Sequence, residues 1–342
     1  MSTAFAYHPI EQKHNKPGHV ENNQRTAEAM RLLKAHHLLA QMTALPVQPI
    51  ARDALHRIHP QRYIQRLERL AARGGGMLDY ETYSVPESFQ AALMSAGAAL
   101  AVVEAVATGQ ARNGISLMRP PGHHALAEEA MGYCHFANAA LAARAAQHDW
   151  GLPRVLIIDW DVHHGNGTQD IFYQDPTVAF VSLHQFPLYP GTGAEKEMGA
   201  GPGRGFTLNI PMPAGVGDTG YLRAFDELIA PFARRFQPQL IIISSGFDTH
   251  WRDPLSQMGV SLSGYARLLQ KTRALAEELC DGRLVILLEG GYHVPAVAYG
   301  VLNSVNILLG RDEAIQDPLG SYPQPETDST PLIARLKRRH RL

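Results

Sequence analysis

Short apolar runs alternate along this chain with longer segments whose hydrophobic residues recur at helical spacing. The short runs predict strands over Phe5–His8, Ile115–Met118, Val155–Asp161, Val178–His184, Phe206–Pro211, Leu240–Ser245 and Leu284–Glu289. The longer patterns predict helices over Thr26–Ala40, Pro60–Ala72, Pro86–Thr108, Phe136–His148, Tyr221–Phe236, Ser261–Leu279 and Val294–Leu309. Runs such as Val155-Leu-Ile-Ile158 and Leu240-Ile-Ile-Ile243 show no polar alternation, as expected of parallel strands covered on both faces. Strand and helix in repetition therefore predict an α/β fold with a mostly parallel sheet between helical layers. No internal repeat and no Ser/Gly-rich linker divides the chain, so residues 1–342 read as a single domain. Its core covers roughly residues 5–310, followed by a tail over 311–342.

Two segments depart from this alternation. Gln185 to Gly205 is rich in Gly and Pro and reads as a long loop, a kind of segment that often carries function. The tail is polar and Pro-rich and ends Leu336-Lys-Arg-Arg-His-Arg-Leu342. It is expected to be a solvated, partly disordered terminus rather than a nucleic-acid contact.

Composition narrows the classes. With 45% hydrophobic residues in 342, a large core is available, and a net charge of -1 gives no global field for nucleic acid or an anionic membrane. Cys134 and Cys280 make no disulfide framework and fit a reducing compartment. No signal peptide is recognisable, and no segment reads as long and apolar enough to span a bilayer. A cytoplasmic protein with neither nucleic-acid nor membrane partners is the expectation.

The chemistry concentrates where predicted strands end. Asp159, Asp161 and His163 follow the run Val155–Ile158 at alternate positions, so they face the same way. Open α/β sheets place their sites at that end. Asp248 follows another buried run, and with Asp161 and His163 it makes a set of nitrogen and oxygen donors suited to a divalent ion with open positions. Zn²⁺ fits, and Fe²⁺ or Mn²⁺ fit as well. Arg119-Pro-Pro-Gly-His123-His124 follows the strand Ile115–Met118, where Asp159 is placed to fix one imidazole. Glu289-Gly-Gly-Tyr292 presents a tyrosine hydroxyl after the strand Leu284–Glu289. Together these residues predict metal-assisted amide hydrolysis: a metal to polarise the carbonyl and activate water, a histidine to move protons, and a hydroxyl to share the oxyanion. His36-His37, inside a predicted helix, reads as incidental. So do the Asn166-Gly-Thr168 sequon and the glycines of 199–205 as a phosphate cradle. A Cys134 nucleophile would leave the aspartates unexplained.

Arg119-Pro-Pro-Gly-His-His124, Gly132-Tyr-Cys134, Asp159-x-Asp161-x-His163-His-Gly-Asn166-Gly-Thr168, Pro190-Gly-Thr-Gly193, Gly246-Phe-Asp248 and Glu289-Gly-Gly-Tyr292 occur in an order that resembles the histone deacetylase family. That family includes bacterial acetylpolyamine amidohydrolases and acetoin-utilisation proteins. The resemblance implies the three-layer arginase/deacetylase fold around an eight-stranded, mostly parallel sheet. It implies Zn²⁺ on Asp161, His163 and Asp248, a dyad of His123 and His124 with Asp159 and Asn166 as their partners, and Tyr292 as the oxyanion tyrosine. Gly132, Tyr133, Tyr189 and Leu255 would line the substrate channel, Glu81 its rim, and Arg25 an internal acetate-exit cavity. Structural K⁺ would sit on Asp159, Asp161, His163, Ser182 and Leu183, and a second K⁺ on Phe172, Asp175, Val178 and Phe206. Asn166 stands where some relatives carry Asp. A neutral amide raises the pKa of His124 less, so His124 is expected to be neutral at rest and to act as base and then acid.

The expected substrate is an acyl-lysine, and the apolar Leu255 favours it over an acetylpolyamine. Three alternatives stay open: an acetylpolyamine amidohydrolase, an arginase-like binuclear manganese hydrolase drawing on His123 and His164, and a non-catalytic acyl-lysine-binding or acetoin-related regulatory protein. A monomer is expected, since no long insertion precedes Arg119.

Overall fold

The computed structural model describes residues 2–342. Its strands are β1 (Ser2–Ala6), β2 (Thr43–Ala44), β3 (Gly76–Met77), β4 (Tyr83–Ser84), β5 (Ala111–Ser116), β6 (Val155–Asp159), β7 (Val178–Gln185), β8 (Thr207–Met212), β9 (Leu240–Ser245) and β10 (Leu284–Leu288). The α-helices are α1 (Gln24–Ala35), α2 (Arg52–Leu55), α3 (Gln61–Ala72), α4 (Ser88–Ala107), α5 (Asn138–Trp150), α6 (Asn166–Phe172), α7 (Asp218–Ala224), α8 (Ala230–Phe236), α9 (Leu262–Cys280), α10 (Val294–Leu308) and α11 (Thr330–His340). Eight strands form one sheet in the order β2-β1-β5-β10-β9-β6-β7-β8. Every pairing in it is parallel. β3 and β4 form a separate antiparallel pair.

Alternation across the sheet builds two apolar layers from the same strands. In β6, Leu156 and Ile158 enter the layer shared with α1, α9 and α10, while Val155 and Ile157 enter the layer shared with α4 and α5. β9 and β10 divide in the same way: Ile241, Ile243 and Ile286 go to one side, and Leu240, Ile242 and Val285 to the other. Both faces are therefore dry, and the polar residues that follow the strands are displaced to the rim.

The structure corrects several expectations. The first predicted helix stops at Ala35 rather than Ala40, because His37 takes φ 54 and turns the chain; His36 and His37 are exposed. The segment predicted as one helix over Tyr221–Phe236 is interrupted by a π turn at Phe225–Ile229, where Ala230 N–H donates to Phe225 O. Pro231 follows immediately; it has no N–H to give and its ring crowds the carbonyl four residues back. β2 and the β3–β4 pair were missed because two-residue strands leave no periodicity. α4 corrects the membrane expectation: at 20 residues with mean hydropathy 1.6 it is long and apolar enough to cross a bilayer. Here 67% of that window is buried within the fold, packed against α5 and the sheet. The tail is not a solvated terminus. It carries α11, whose Leu332, Ile333 and Leu336 are buried in the same layer as Leu208 of β8. Their i, i+1, i+4 spacing is a helical stripe that the polar, Pro-rich composition of the tail hides.

Candidate active site

β6 and β9 pair in register, with Asp159 opposite Ser244, so Asp161-Val-His163 and Gly246-Phe-Asp248 leave the sheet at one mouth. The ligand atoms of Asp161, His163 and Asp248 all lie within 4.8 Å of one another, and all three residues are buried. His163 Nδ1 is 3.1 Å from Asp161 Oδ1 and 3.4 Å from Asp248 Oδ2. Gly290 N–H donates to Asp161 Oδ2 at 2.7 Å, and Val162 N–H to Asp248 Oδ1 at 2.8 Å. Asp248 Oδ2 is buried and receives no hydrogen bond. Burial, reinforced by the charge of Asp161, pushes the Asp248 carboxyl up to about 7. A buried carboxylate oxygen without a donor, beside a second carboxylate and an imidazole, is a donor set that a divalent cation satisfies. Gly290 keeps the space open: a Cβ there would lie 2.3 Å from Asp248 Oδ2 and 2.5 Å from Asp161 Oδ2. The residues present therefore fit a metal ion.

The loop after β5 brings the tandem histidines to the same place. His123 Nδ1 lies 3.0 Å from Asp159 Oδ2, and His124 Nδ1 lies 2.7 Å from Asn166 Oδ1. Asn166 Nδ2 donates to Met131 Sδ at 3.3 Å, which orients the amide with its oxygen toward His124. The two rings are 3.9 Å apart at their centroids. Burial penalises both cations, and its outcome differs between them. At His123 the charges of Asp161 and Asp159 overcome it and hold the pKa well above the ordinary histidine value. At His124 burial, then His123 and His163, hold the pKa well below that value.

Above these groups a cavity of about 210 Å³ opens to the surface. Glu81, Gly132, Tyr133, Tyr189 and Leu255 all line it, with His124, His163 and Tyr292 at its polar end. Tyr80 and Leu188 line it too, and neither was singled out by sequence. Gly132 is required by close approach. Its φ is +53, and a Cβ would lie 2.2 Å from His124 Cδ2. Tyr189 packs edge-on against His124 at 5.2 Å, and Tyr133 against Tyr292 at 5.8 Å. Burial raises Glu81, and Asp79 raises it further.

A second group meets the same distance criterion: His123, Cys134 and Glu289. Glu289 is already committed, accepting from the N–H groups of Gly122 at 2.7 Å and His123 at 3.2 Å and from Ser244 Oγ at 3.0 Å. Burial drives the Cys134 thiol well above its ordinary pKa, which removes it as a nucleophile.

Residues without an obvious sequence signal hold the site in shape. Asp253 is buried; its carboxylate accepts from Tyr292 N–H at 2.6 Å, His293 N–H at 3.1 Å and Leu255 N–H at 3.0 Å. It thus ties the tyrosine turn to the channel wall. Glu21 accepts from Arg119 Nη2 at 2.6 Å and Arg25 Nη1 at 2.9 Å, joining the base of the histidine loop to the tyrosine turn. Arg25 also donates to the carbonyls of Glu289 and Gly291 and lies 5.2 Å from the Tyr292 ring centroid. Its observed contacts are those of a residue supporting the turn.

Of the residues matched to the inner K⁺ site, Ser182 lies opposite Asp159 on β7, and its Oγ is 2.9 Å from His184 Nδ1. Asp175, matched to the outer K⁺ site, pairs with Arg144 at 2.7 Å and accepts from Thr177 Oγ1. His164, which an arginase-like reading would recruit, instead contacts Thr192 Oγ1 at 2.8 Å and Gln169 Oε1 at 3.0 Å. Glu197 accepts from Gln169 Nε2 at 2.7 Å and from Gly193 and Ala194 N–H, so the long Gly/Pro-rich loop is pinned to α6.

Comparison with known proteins places this arrangement. The family model described as the histone deacetylase domain matches residues 19–308. The chain is 40% identical to "Histone deacetylase 10, chloroplastic" of Oryza sativa subsp. japonica, over 96% of this chain and 79% of that protein. It is 39% identical to a "Probable deacetylase" of Archaeoglobus fulgidus, over 95% of this chain and 91% of that one. It is 40% identical to the "Histone deacetylase-like amidohydrolase" of Pseudomonas aeruginosa, over 89% and 80%. The crystal structure of the HDA15 HD domain superposes with a TM-score of 0.90 at 32% identity, covering 99% of this chain and 94% of that one. These relatives support a deacetylase or amidohydrolase activity, and the fold is the α/β arginase/deacetylase fold. Matched by the domain and by relatives along nearly its whole length, the chain belongs to the histone deacetylase family.

Proposed function

We propose that this protein hydrolyses the amide of an acylated primary amine, with acyl-lysine as the substrate class and one catalytic Zn²⁺. The observation that carries this reading is the joining of two features. A channel walled by Tyr133, Leu188, Tyr189 and Leu255 reaches His163, His124 and Tyr292, and Asp161 and Asp248 lie close around His163 beneath it. At about 210 Å³ the channel is smaller than typical ligand pockets and suits one extended alkyl amide.

Asp161, His163 and Asp248 would hold the ion, and Fe²⁺ suits the same donors. When bound, it supplies Lewis acidity toward the amide carbonyl and toward water. The remaining work belongs to side chains. Tyr133, Tyr189 and Leu255 bind the alkyl chain and keep bulk water out. His124, with Nδ1–H directed to Asn166, keeps the lone pair of Nε2 free, takes the proton of the attacking water and returns it to the departing amine. That return is needed because an alkylamine with a pKa of about 10.4 leaves poorly as an anion. His123, held cationic against Asp159, stabilises negative charge developing beside it. The Tyr292 hydroxyl donates to the oxyanion.

Glu81 at the channel wall, with Asp79 beside it, favours a second reading in which a cationic acetylpolyamine is the substrate. A non-catalytic reader would bind acyl-amines without releasing acid. The deciding experiment is acid release from a panel of acyl-lysine peptides and acetylpolyamines, with and without a chelator. Fastest turnover on acyl-lysine, abolished by chelator and restored by Zn²⁺, is expected. Faster turnover on acetylspermidine supports the second reading, and binding without release supports the reader. The proposal extends to one or two structural K⁺ ions, a monomeric state, cytoplasmic residence consistent with the buried free thiols of Cys134 and Cys280, and no nucleic-acid or membrane partner.

A further inference from the structure

A second cavity lies away from the channel. It measures about 650 Å³ and is bordered by Arg204, Arg235, Arg339 and Arg341. These come from three separate parts of the chain: the end of the long loop before β8, α8, and the C-terminal end of α11. Phe206 and Thr207 mark the N-terminal end of edge strand β8, so the cavity faces the end of the sheet opposite the channel mouth. On a chain whose net charge is only -1, this is a local concentration of positive charge.

Part of this charge has a structural use. Arg235 Nη1 donates to His340 O at 2.6 Å, capping the end of α11, and Arg339 lies 3.7 Å from Glu195. The rest is unspent. Among the described residues no carboxylate pairs with Arg204, Arg235 or Arg341, and Arg335 already shares Glu195. His340 also borders the cavity. It is only 4% exposed, and neither ring nitrogen has a hydrogen-bond partner. The remaining wall is formed by Phe206, Phe232 and Phe236 with Met198 and Gly205.

We propose that this cavity binds a small phosphate-bearing molecule, with nucleoside phosphates as the best-fitting class. Planar guanidinium groups pair with phosphate oxygens through forked hydrogen bonds, and several converging arginines match a multiply charged anion better than a single carboxylate. The aromatic wall offers an apolar surface for the organic part, and about 650 Å³ is within the range of small-molecule pockets. A concave site of this size admits a small anion but not the side of a duplex. The basic C-terminal run thus serves as one wall of a pocket.

The test is titration calorimetry of the full chain with ATP, with pyrophosphate and with a short DNA duplex, at low and at physiological salt. ATP is expected to bind saturably at one site per chain, with pyrophosphate weaker. The double variant Arg204→Glu, Arg341→Glu is expected to weaken ATP by at least about 30-fold, and Arg204→Gln alone by about fivefold. Both positions are exposed, so the variants should melt and deacylate as the parent does. No saturable ATP binding, or equal binding by the parent and both variants, overturns the proposal. A duplex that binds these arginines more tightly than ATP overturns it in favour of nucleic acid.

Discussion

Replacing Glu21 by Gln removes one charge from a balanced buried group. Glu11 and Glu21 oppose Arg25 and Arg119, and all four residues are 0% exposed. Arg119 bridges the two acids, at 3.2 Å from Glu11 and 2.6 Å from Glu21 through Nη2, while Arg25 reaches Glu21 at 2.9 Å. Gln preserves the volume, leaves one acceptor oxygen and turns an NH₂ group toward two cations. A buried charge that loses its partner costs about 3–5 kcal/mol. At roughly 2–4 °C per kcal/mol for a large domain, the melting temperature should fall by about 6–20 °C near neutral pH. Burial works against the Glu21 carboxylate, but Arg119, His14 and then Arg25 outweigh it and hold its pKa well below the usual 4.5. A carboxylate depressed by folding adds stability that is complete above its unfolded pKa and is lost as pH falls through the folded one. The gap between parent and variant, followed by calorimetry, should therefore be full at pH 7 and shrink below about pH 4.5. Because Arg25 also holds the carbonyls of Glu289 and Gly291, kcat should drop alongside stability. A shift under about 2 °C at pH 7, or a gap that persists unchanged into acid, refutes the reasoning.

Three further outcomes follow from the same geometry. Asn166→Asp places a carboxylate where the amide oxygen now lies 2.7 Å from His124 Nδ1, which favours the imidazolium. The acid limb of kcat/KM, expected below pH 6.5 in the parent because His124 is held low, should move up by about 1–2 units, and an unmoved limb contradicts the role of His124 as base. Asp253→Asn keeps the shape but presents an NH₂ toward the amides of Tyr292, His293 and Leu255; kcat should fall by about 10–100-fold, and a rise in KM at unchanged kcat would show that the tyrosine turn does not depend on it. Gly132→Ala forces a methyl to within 2.2 Å of the His124 ring at a positive φ, so turnover should fall by about 10²-fold or more with the metal still bound, measured by metal content and steady-state rates; activity within twofold of the parent would mean that the ring can give way.

What was legible in the sequence was local. The runs Val155–Ile158 and Leu240–Ile243 announced central strands, because a strand covered on both faces favours apolar residues at consecutive positions. The residues just past them were legible as chemistry because Asp and His are too costly to bury without a partner. The channel residues Tyr133, Tyr189 and Leu255 were placed by resemblance, and the structure does set them around one cavity. Other features left no local trace. α11 hid in a polar tail because three apolar residues suffice to dock a short helix when the rest of the protein supplies the other half of the contact. Nothing around Glu21 or Asp253 predicts burial: each is paid for by partners 98 and 39 residues away.

The chain's own pattern thus determined the central strands, the long helices and the donors that stand at the strand ends. The tertiary structure alone decided that Asp248 meets Asp161 and His163, that burial, His123 and His163 hold the His124 pKa low while Asn166 and Met131 aim its ring, and that arginines from three separate parts of the chain border one cavity. Periodicity and side-chain polarity are properties of neighbours in sequence. The charge state of a buried group depends on whichever neighbours folding brings to it.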